Sequence, residues 1–167
     1  PLYEAMLGNF SKNDYKEWTN NLSLNWYVND YLLIKGQLAI TTKEANTSAF
    51  TDPLSGTYGR DDLFKKGDLY LTETRTNTLN LNLFGAYNRM IGKHNINYSM
   101  GINIRTTDQT YSRSHYRGFP DAQRHQPAYA YEIVTKPNFT DNETRLLGGF
   151  VTFNYSYNSI YLLDASY

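Results

Sequence analysis

The sequence predicts an all-β fold of about six antiparallel strands. Three observations carry that prediction. Apolar and polar residues alternate with period two in six separate stretches, the connections between those stretches alternate between short and long, and Tyr, Thr and Asn are abundant. Period two marks a strand whose two faces meet different surroundings, and Tyr, Thr and Asn suit strands and turns better than helices.

The first stretch, near 18–27, sets Leu22, Leu24 and Trp26 on one face and Asn21, Ser23 and Asn25 on the other. In the second, near 32–43, Ile34, Leu38 and Ile40 oppose Lys35, Gln37 and Thr41. The third, near 69–88, places Leu69, Leu71, Leu79, Leu81, Leu83 and Tyr87 on one parity, and only its second half is apolar enough to face lipid. The fourth, near 93–112, has the cleanest alternation, with Ile96, Tyr98, Met100, Ile102 and Ile104 set against Asn97, Ser99, Gly101, Asn103 and Arg105. The fifth, near 144–157, turns Leu147, Val151, Phe153, Tyr155 and Tyr157 away from Thr152, Asn154 and Ser156, and a sixth spans 160–167.

Short connections are expected at 28–31, 89–92 and 158–159, and long ones at 44–68 and 113–143. Outer-membrane barrels combine short periplasmic turns, long extracellular loops and strands that alternate apolar-out with polar-in. The three features occur together here, so the alternation predicts an antiparallel transmembrane β-barrel segment. Trp26, Tyr27, Tyr31, Tyr87, Tyr155, Tyr157 and Tyr161 gather near the short turns, where an interfacial girdle of aromatic rings would lie. A soluble antiparallel sandwich also alternates and stays open as the alternative.

Composition narrows the function. Sixteen basic and sixteen acidic residues cancel without forming runs, which gives no footprint for nucleic acid. The absence of cysteine excludes a disulfide framework, a thiolate zinc site and a thiol nucleophile. No stretch reaches the roughly 18 apolar residues of a membrane helix, and Pro1-Leu2-Tyr3-Glu4 has neither a basic region nor an apolar signal core. Contact with a bilayer would therefore be made by strands. Six strands do not close a membrane barrel, because an open edge in lipid leaves backbone groups unpaired. Residues 1–167 are accordingly expected to form part of one barrel domain, with any plug domain outside them.

Four passages, at 1–5 with 20–26, at 33–37, at 116–120 and at 154–157 with 161–167, resemble the SusC/RagA-like TonB-dependent transporters of the Bacteroidetes outer membrane. Pro1-Leu2-Tyr3-Glu4-Ala5 followed by Asn20-Asn21-Leu22-Ser23-Leu24-Asn25-Trp26 is similar to the family's loop entering a barrel strand, and Leu33-Ile34-Lys35-Gly36-Gln37 to the next strand. Tyr116-Arg117-Gly118-Phe119-Pro120 resembles a glycine-aromatic-proline loop, and Asn154-Tyr155-Ser156-Tyr157 with Tyr161-Leu162-Leu163-Asp164-Ala165-Ser166-Tyr167 resembles a hairpin of the family. The resemblance implies a barrel of about 22 strands in the bacterial outer membrane. It further implies a plug, coupling to TonB, a SusD-like surface lipoprotein as partner and import of a large nutrient, glycan or peptide.

The candidate ligand contacts lie in the second long loop. His115, Tyr116, Phe119, His125, Tyr129 and Tyr131 offer aromatic faces and polar groups to a sugar or peptide, against the plainer reading of a self-packed loop. Lys35, Asn103 and Arg105 are candidates for the polar lining of a pore. His115, His125 and Asp121 fit no metal-ligand spacing, and Asp61, Asp62 and Asp68 read as solvated loop charges without the calcium-loop pattern. No nucleophile elbow, metal-binding helix or phosphate loop is present, so neither enzyme activity nor a cofactor is expected. Two rivals to transport remain: a soluble glycan-binding sandwich, and a barrel used as a scaffold in a surface assembly.

Overall fold

The computed structural model describes residues 2–167, so Pro1 of the first family-like passage lies outside them. The chain is all-β, with six antiparallel strands in one sheet in the order β1-β2-β3-β4-β5-β6. They are β1 (Phe10–Asn29), β2 (Leu32–Thr51), β3 (Asp68–Ile91), β4 (His94–Arg117), β5 (Glu132–Tyr157) and β6 (Tyr161–Ser166). A short helix, α1 (Leu2–Ala5), precedes β1, where the family resemblance implies a loop. No helix among the described residues is long and apolar enough to cross a membrane, which says nothing of crossing by strands.

Several strands run past the ends that the alternation marks, and this corrects the two long loops. The segments outside strands are 52–67 and 118–131, not 44–68 and 113–143, and β1 begins at Phe10 where alternation begins near Trp18. The cause is chemical. The added segments are rich in Lys, Asp, Glu, Asn and Thr, and a strand with two solvated faces shows no apolar period while its backbone pairs as before. Polar side chains tie these segments across strands, with Lys43 3.4 Å from Glu17, Arg75 3.7 Å from Glu44, and the Thr47 hydroxyl donating to Asn13 at 3.2 Å.

Contacts divide the chain into two units. A loop unit comprises residues 2–17, 43–76 and 109–142, and a turn unit comprises 18–42, 77–108 and 143–167. In the turn unit the sheet has one polar and one apolar side. The β5–β6 register pairs Thr152 with Ser166 and Asn154 with Asp164 on one side, and Phe153 with Ala165, Tyr155 with Leu163 and Tyr157 with Tyr161 on the other. The polar parity is stitched by side-chain bonds between Thr19 and Thr41, Asn82 and Asn103, Ser99 and Thr152, and Asn154 and Asp164. Leu22, Leu24, Trp26, Met100, Ile102 and Leu163 are exposed on the apolar parity.

The polar side carries one feature that alternation hides. The Phe84 and Phe150 rings lie 6.1 Å apart across β3–β5, and the Phe150 ring occupies the space where a Cβ of Gly101 would stand. Glycine at 101 thus allows an aromatic ring to cover bare backbone. The short hairpins close by local geometry. Gly92 has φ +60°, and Asn158 and Ser159 both have positive φ, which makes a type I′ turn with Ile160 N–H donating to the Tyr157 carbonyl at 3.0 Å.

Gly101→Ala is expected to destabilise the full-length protein by about 1–3 kcal/mol in denaturant unfolding, because the added methyl displaces the Phe150 ring. The same substitution made in a Phe150→Ala background should cost much less; equal costs in both backgrounds would disprove the packing account.

Candidate functional site

The loop unit is organised by a small core and one carboxylate. Phe50, Leu69 and Phe119 are buried together, with Phe10, Leu71, Tyr116, Ala122 and Ala130 packed against them. The rings interlock, with Phe10 stacked on Phe50 at 5.6 Å and Phe119 edge-on to Phe50 at 5.3 Å. Residues from loop 118–131 and from β1–β4 therefore share one apolar cluster, which fixes where that loop lies.

The loops join at their bases. Gly118 N–H donates to the Gly67 carbonyl at 3.0 Å and Phe119 N–H to the Lys66 carbonyl at 2.9 Å. Gly67 and Gly118 have φ +86° and +81°, and a Cβ at Gly118 would strike the Phe64 carbonyl oxygen and the Tyr131 side chain. Glycine is required at 118 by both the left-handed backbone and the close approach.

Asp68 is the polar centre. Its side chain is 13% exposed and accepts three hydrogen bonds: from the Tyr58 hydroxyl at 2.6 Å, His115 Nε2 at 2.5 Å and Arg117 Nε at 3.1 Å. An ionised carboxylate only accepts, so His115 carries its proton on Nε2. Burial pushes the Asp68 carboxyl up, but the bonds from Tyr58, His115 and Arg117 outweigh it and hold its pKa below the ordinary carboxylate value. Burial and the bond to Asp68 push the Tyr58 phenol up, and Arg117's own bond to Asp68 raises the guanidinium. The His115 ring also stacks on Tyr70 at 4.0 Å, with Arg113 lying 5.6 Å over the far ring. Asp68 is thus not a solvated loop charge. It opens β3, and the strand pairing brings β4 donors to it from more than forty residues away.

The far side of loop 52–67 is held by two further carboxylates. Asp52 Oδ2 accepts from Gly8 N–H at 2.9 Å, and Glu4 accepts from Gly56 N–H at 2.6 Å and the Ser55 hydroxyl at 3.0 Å. The Gly56 and Ser55 bonds lower the Glu4 pKa. Asp62 caps a 3-10 turn through Phe64 N–H at 3.4 Å.

Between the two loops lies a groove of about 910 Å³, lined by Leu54, Leu63, Phe64 and Lys66 from one side and Pro120, Tyr129 and Tyr131 from the other. Phe64 and Tyr131 meet at 5.1 Å. Leu63, Phe64, Tyr129 and Tyr131 are exposed, so their surfaces are open to a solute. A second hollow of about 700 Å³ in the turn unit is lined by Ile34, Leu83, Met100, Ile102 and Val151 and offers almost no polar group. A directional solute site needs a few polar groups among apolar walls, which favours the loop groove.

Of the six candidate contacts, Tyr129 and Tyr131 line the groove with exposed rings. Phe119 reaches its edge but is 3% exposed, and Tyr116 packs into the core. His125 lies against Phe10 and Phe50, with Nδ1 2.9 Å from the Ala122 carbonyl, and His115 is engaged by Asp68. The structure therefore brings two of the six together at a surface and uses the others in packing. Leu54, Leu63, Phe64 and Lys66, in the other loop, complete the groove without a sequence signal, because no local spacing links them to Tyr129 and Tyr131. In the turn unit, Asn103 bonds Asn82 across the polar side, while Lys35 and Arg105 are exposed.

Because the folded Asp68 pKa is depressed, its contribution is complete above the unfolded carboxylate value of about 4 and is lost as pH falls through the lower folded value. Protection of residues 52–67 against hydrogen exchange, taken relative to the unfolded chain at each pH, is expected to hold from neutral pH to about pH 4 and to fall below it. Asp68→Asn should accelerate exchange at neutral pH by roughly tenfold or more, since a buried donor loses its acceptor. Unchanged protection in Asp68→Asn would overturn the role given to this carboxylate.

No protein-family model and no curated protein matches the chain. Solved structures do match. The RagAB peptide transporter aligns with a TM-score of 0.82 at 16% identity, over 95% of this chain and 17% of that chain. The RagAB peptide importer in its open-open state aligns at 0.81 and 16% identity, and in its closed-closed state at 0.82 and 15% identity, with the same coverage. This chain spans about a sixth of the length of those neighbours, and at this identity the likeness shows that it shares the fold of that portion.

Proposed function

We propose that the chain is an arc of a TonB-dependent outer-membrane transporter of the SusC/RagA type, which imports a nutrient too large for porins together with a SusD-like surface lipoprotein. The likeness of 95% of the chain to part of the RagAB peptide transporter is the observation that supports this most strongly. The two-sided sheet of the turn unit agrees with it, since Leu, Ile and Met exposed on one parity suit lipid while Asn, Ser and Thr on the other suit an aqueous lumen.

In this reading the loop groove is a cargo contact. Its walls are apolar and aromatic, with few hydrogen-bonding side chains beyond Ser55, Lys66 and the tyrosine hydroxyls. That chemistry suits the side chains of a peptide better than the hydroxyl-rich edge of a glycan, and the neighbouring structures are described as peptide transporters. The segment has no chemistry of its own to perform: it holds backbone and side chains in place while solute passes.

Two experiments on the full-length protein test the proposal. A strain lacking it should lose uptake of labelled oligopeptides and regain it on complementation. Phe64→Ala with Tyr131→Ala should cut uptake by roughly three- to tenfold, the scale of losing an aromatic contact. Uptake equal to wild type in the deletion strain would favour a scaffold. This chain has no cysteine, so Leu63→Cys can report topology: on intact cells an impermeant maleimide should label it, whereas Lys93→Cys in a short turn should stay unlabelled. A full-length protein soluble without detergent would sink the barrel reading in favour of the sandwich.

A further inference from the structure

The short-turn ends of the turn unit carry cations among aromatic rings that neither the sheet nor the cargo groove uses. The Arg89 guanidinium lies 4.8 Å over the Tyr31 ring. His94 Nδ1 is 2.7 Å from the Tyr155 hydroxyl, and the His94 ring is 5.0 Å from that of Tyr157. Lys93 adjoins His94, and its carbonyl accepts Asn158 N–H at 2.7 Å, which sets the β3–β4 and β5–β6 turns side by side. Arg89, Lys93 and His94 are all exposed.

Strand parity puts these groups at the border of the apolar side. His94 shares its parity with Ile96, Tyr98, Met100 and Ile102, and Arg89 shares its parity with Leu83 and Tyr87. Two cations and an imidazole therefore stand where the apolar side ends, against one carboxylate in these turns, Asp30. Solvation of charge alone would be met as well on the polar parity. Cations beside tyrosine hydroxyls at an apolar border instead match a molecule with a phosphate at one end and hydrocarbon at the other. Arg recognises phosphate oxygens through its N–H edge, while its stem and stacked face lie along apolar surface.

We propose that Arg89, Lys93 and His94, with Tyr31 and Tyr155, form a binding site for the headgroup of an anionic phospholipid, whose acyl chains lie along the apolar side of the sheet. Tyr at membrane interfaces and basic residues near anionic lipid are each favourable. The inference rests on the membrane reading above and adds a preferred lipid to it.

The test reconstitutes the full-length protein into vesicles of phosphatidylethanolamine with or without phosphatidylglycerol, re-extracts it in mild detergent, and counts the lipids retained by native mass spectrometry. Wild-type protein is expected to retain phosphatidylglycerol selectively, and inorganic phosphate should not displace it because phosphate lacks the acyl chains. The Arg89→Gln/Lys93→Gln variant should lose roughly thirtyfold of that preference, the scale of two cations at an anionic surface. Arg89→Lys/Lys93→Arg should keep most of it, which separates charge from folding. Equal retention by wild type and the Gln variant, in protein that enters vesicles normally, overturns this site alone. Failure to enter vesicles of any composition overturns the barrel reading and the site with it.

Discussion

Every residue in a paired strand has to satisfy two conditions at once: its N–H and C=O need partners, and its side chain must suit the medium on its side of the sheet. The first condition is blind to side-chain identity, which is why β1 continues through Ser11, Lys12, Asn13 and Asp14, where nothing apolar marks it. The second condition is met residue by residue with period two, and it divides the turn unit into a side of amides and hydroxyls and a side of hydrocarbon and rings. Were the apolar side immersed in lipid, an unpaired strand edge there would cost several kcal/mol per backbone group. The outer edges of β1 and β6, and of β5 beyond its short pairing with β6, are the places where that cost would fall.

The loop unit solves a different problem. Segments 52–67 and 118–131 have no strand pairing to order them, and each ordered residue costs about 1–2 kcal/mol of backbone entropy. Three sets of contacts offset that cost: the Phe50, Leu69 and Phe119 cluster, the glycine-to-glycine backbone bond at the loop bases, and the hydrogen bonds to the carboxylates of Glu4, Asp52 and Asp68. The carboxylates act on opposite sides of loop 52–67, since Glu4 and Asp52 tie it toward the start of the chain and Asp68 ties Tyr58 to β3 and β4. The groove walls are therefore shaped mainly by residues that do not line the groove.

What was legible in the sequence follows from this. The alternation of Ile96 through Ile104 identified its strand outright, because one-dimensional periodicity is the whole content of a two-faced strand. The polar extension of β1 and the early start of β5 were not legible, since extended backbone between two wet faces leaves no period to read. Asp68 looked like a loop charge beside Asp61 and Asp62 because its three donors come from residues 58, 115 and 117, and only the pairing of β3 with β4 brings the last two to it. The aromatic loop drew attention to His115, Phe119 and His125, yet composition does not separate rings that face a solute from rings that hold the loop. Phe64 carries no sequence signal for the converse reason: its partner, Tyr131, is in the other loop.

The same reasoning explains how a likeness in fold can coexist with so little identity. A strand's alternation is satisfied by Leu, Ile, Val, Met, Phe or Tyr on one parity and by Asn, Ser, Thr, Gln or a charge on the other, so sequences can drift far while the ladder and its sidedness persist. The positions that resist such drift are those where geometry admits one residue type. Gly118, left-handed and pressed against Phe64 and Tyr131, is one, and Gly101 beneath the Phe150 ring is another. Groove residues such as Leu63, Phe64 and Tyr129 are exposed and unconstrained by strand pairing, so their identity is free to vary. The groove therefore belongs to the least regular segments of the chain, and its shape is held largely by the Asp68 carboxylate and the aromatic cluster of Phe10, Phe50 and Phe119.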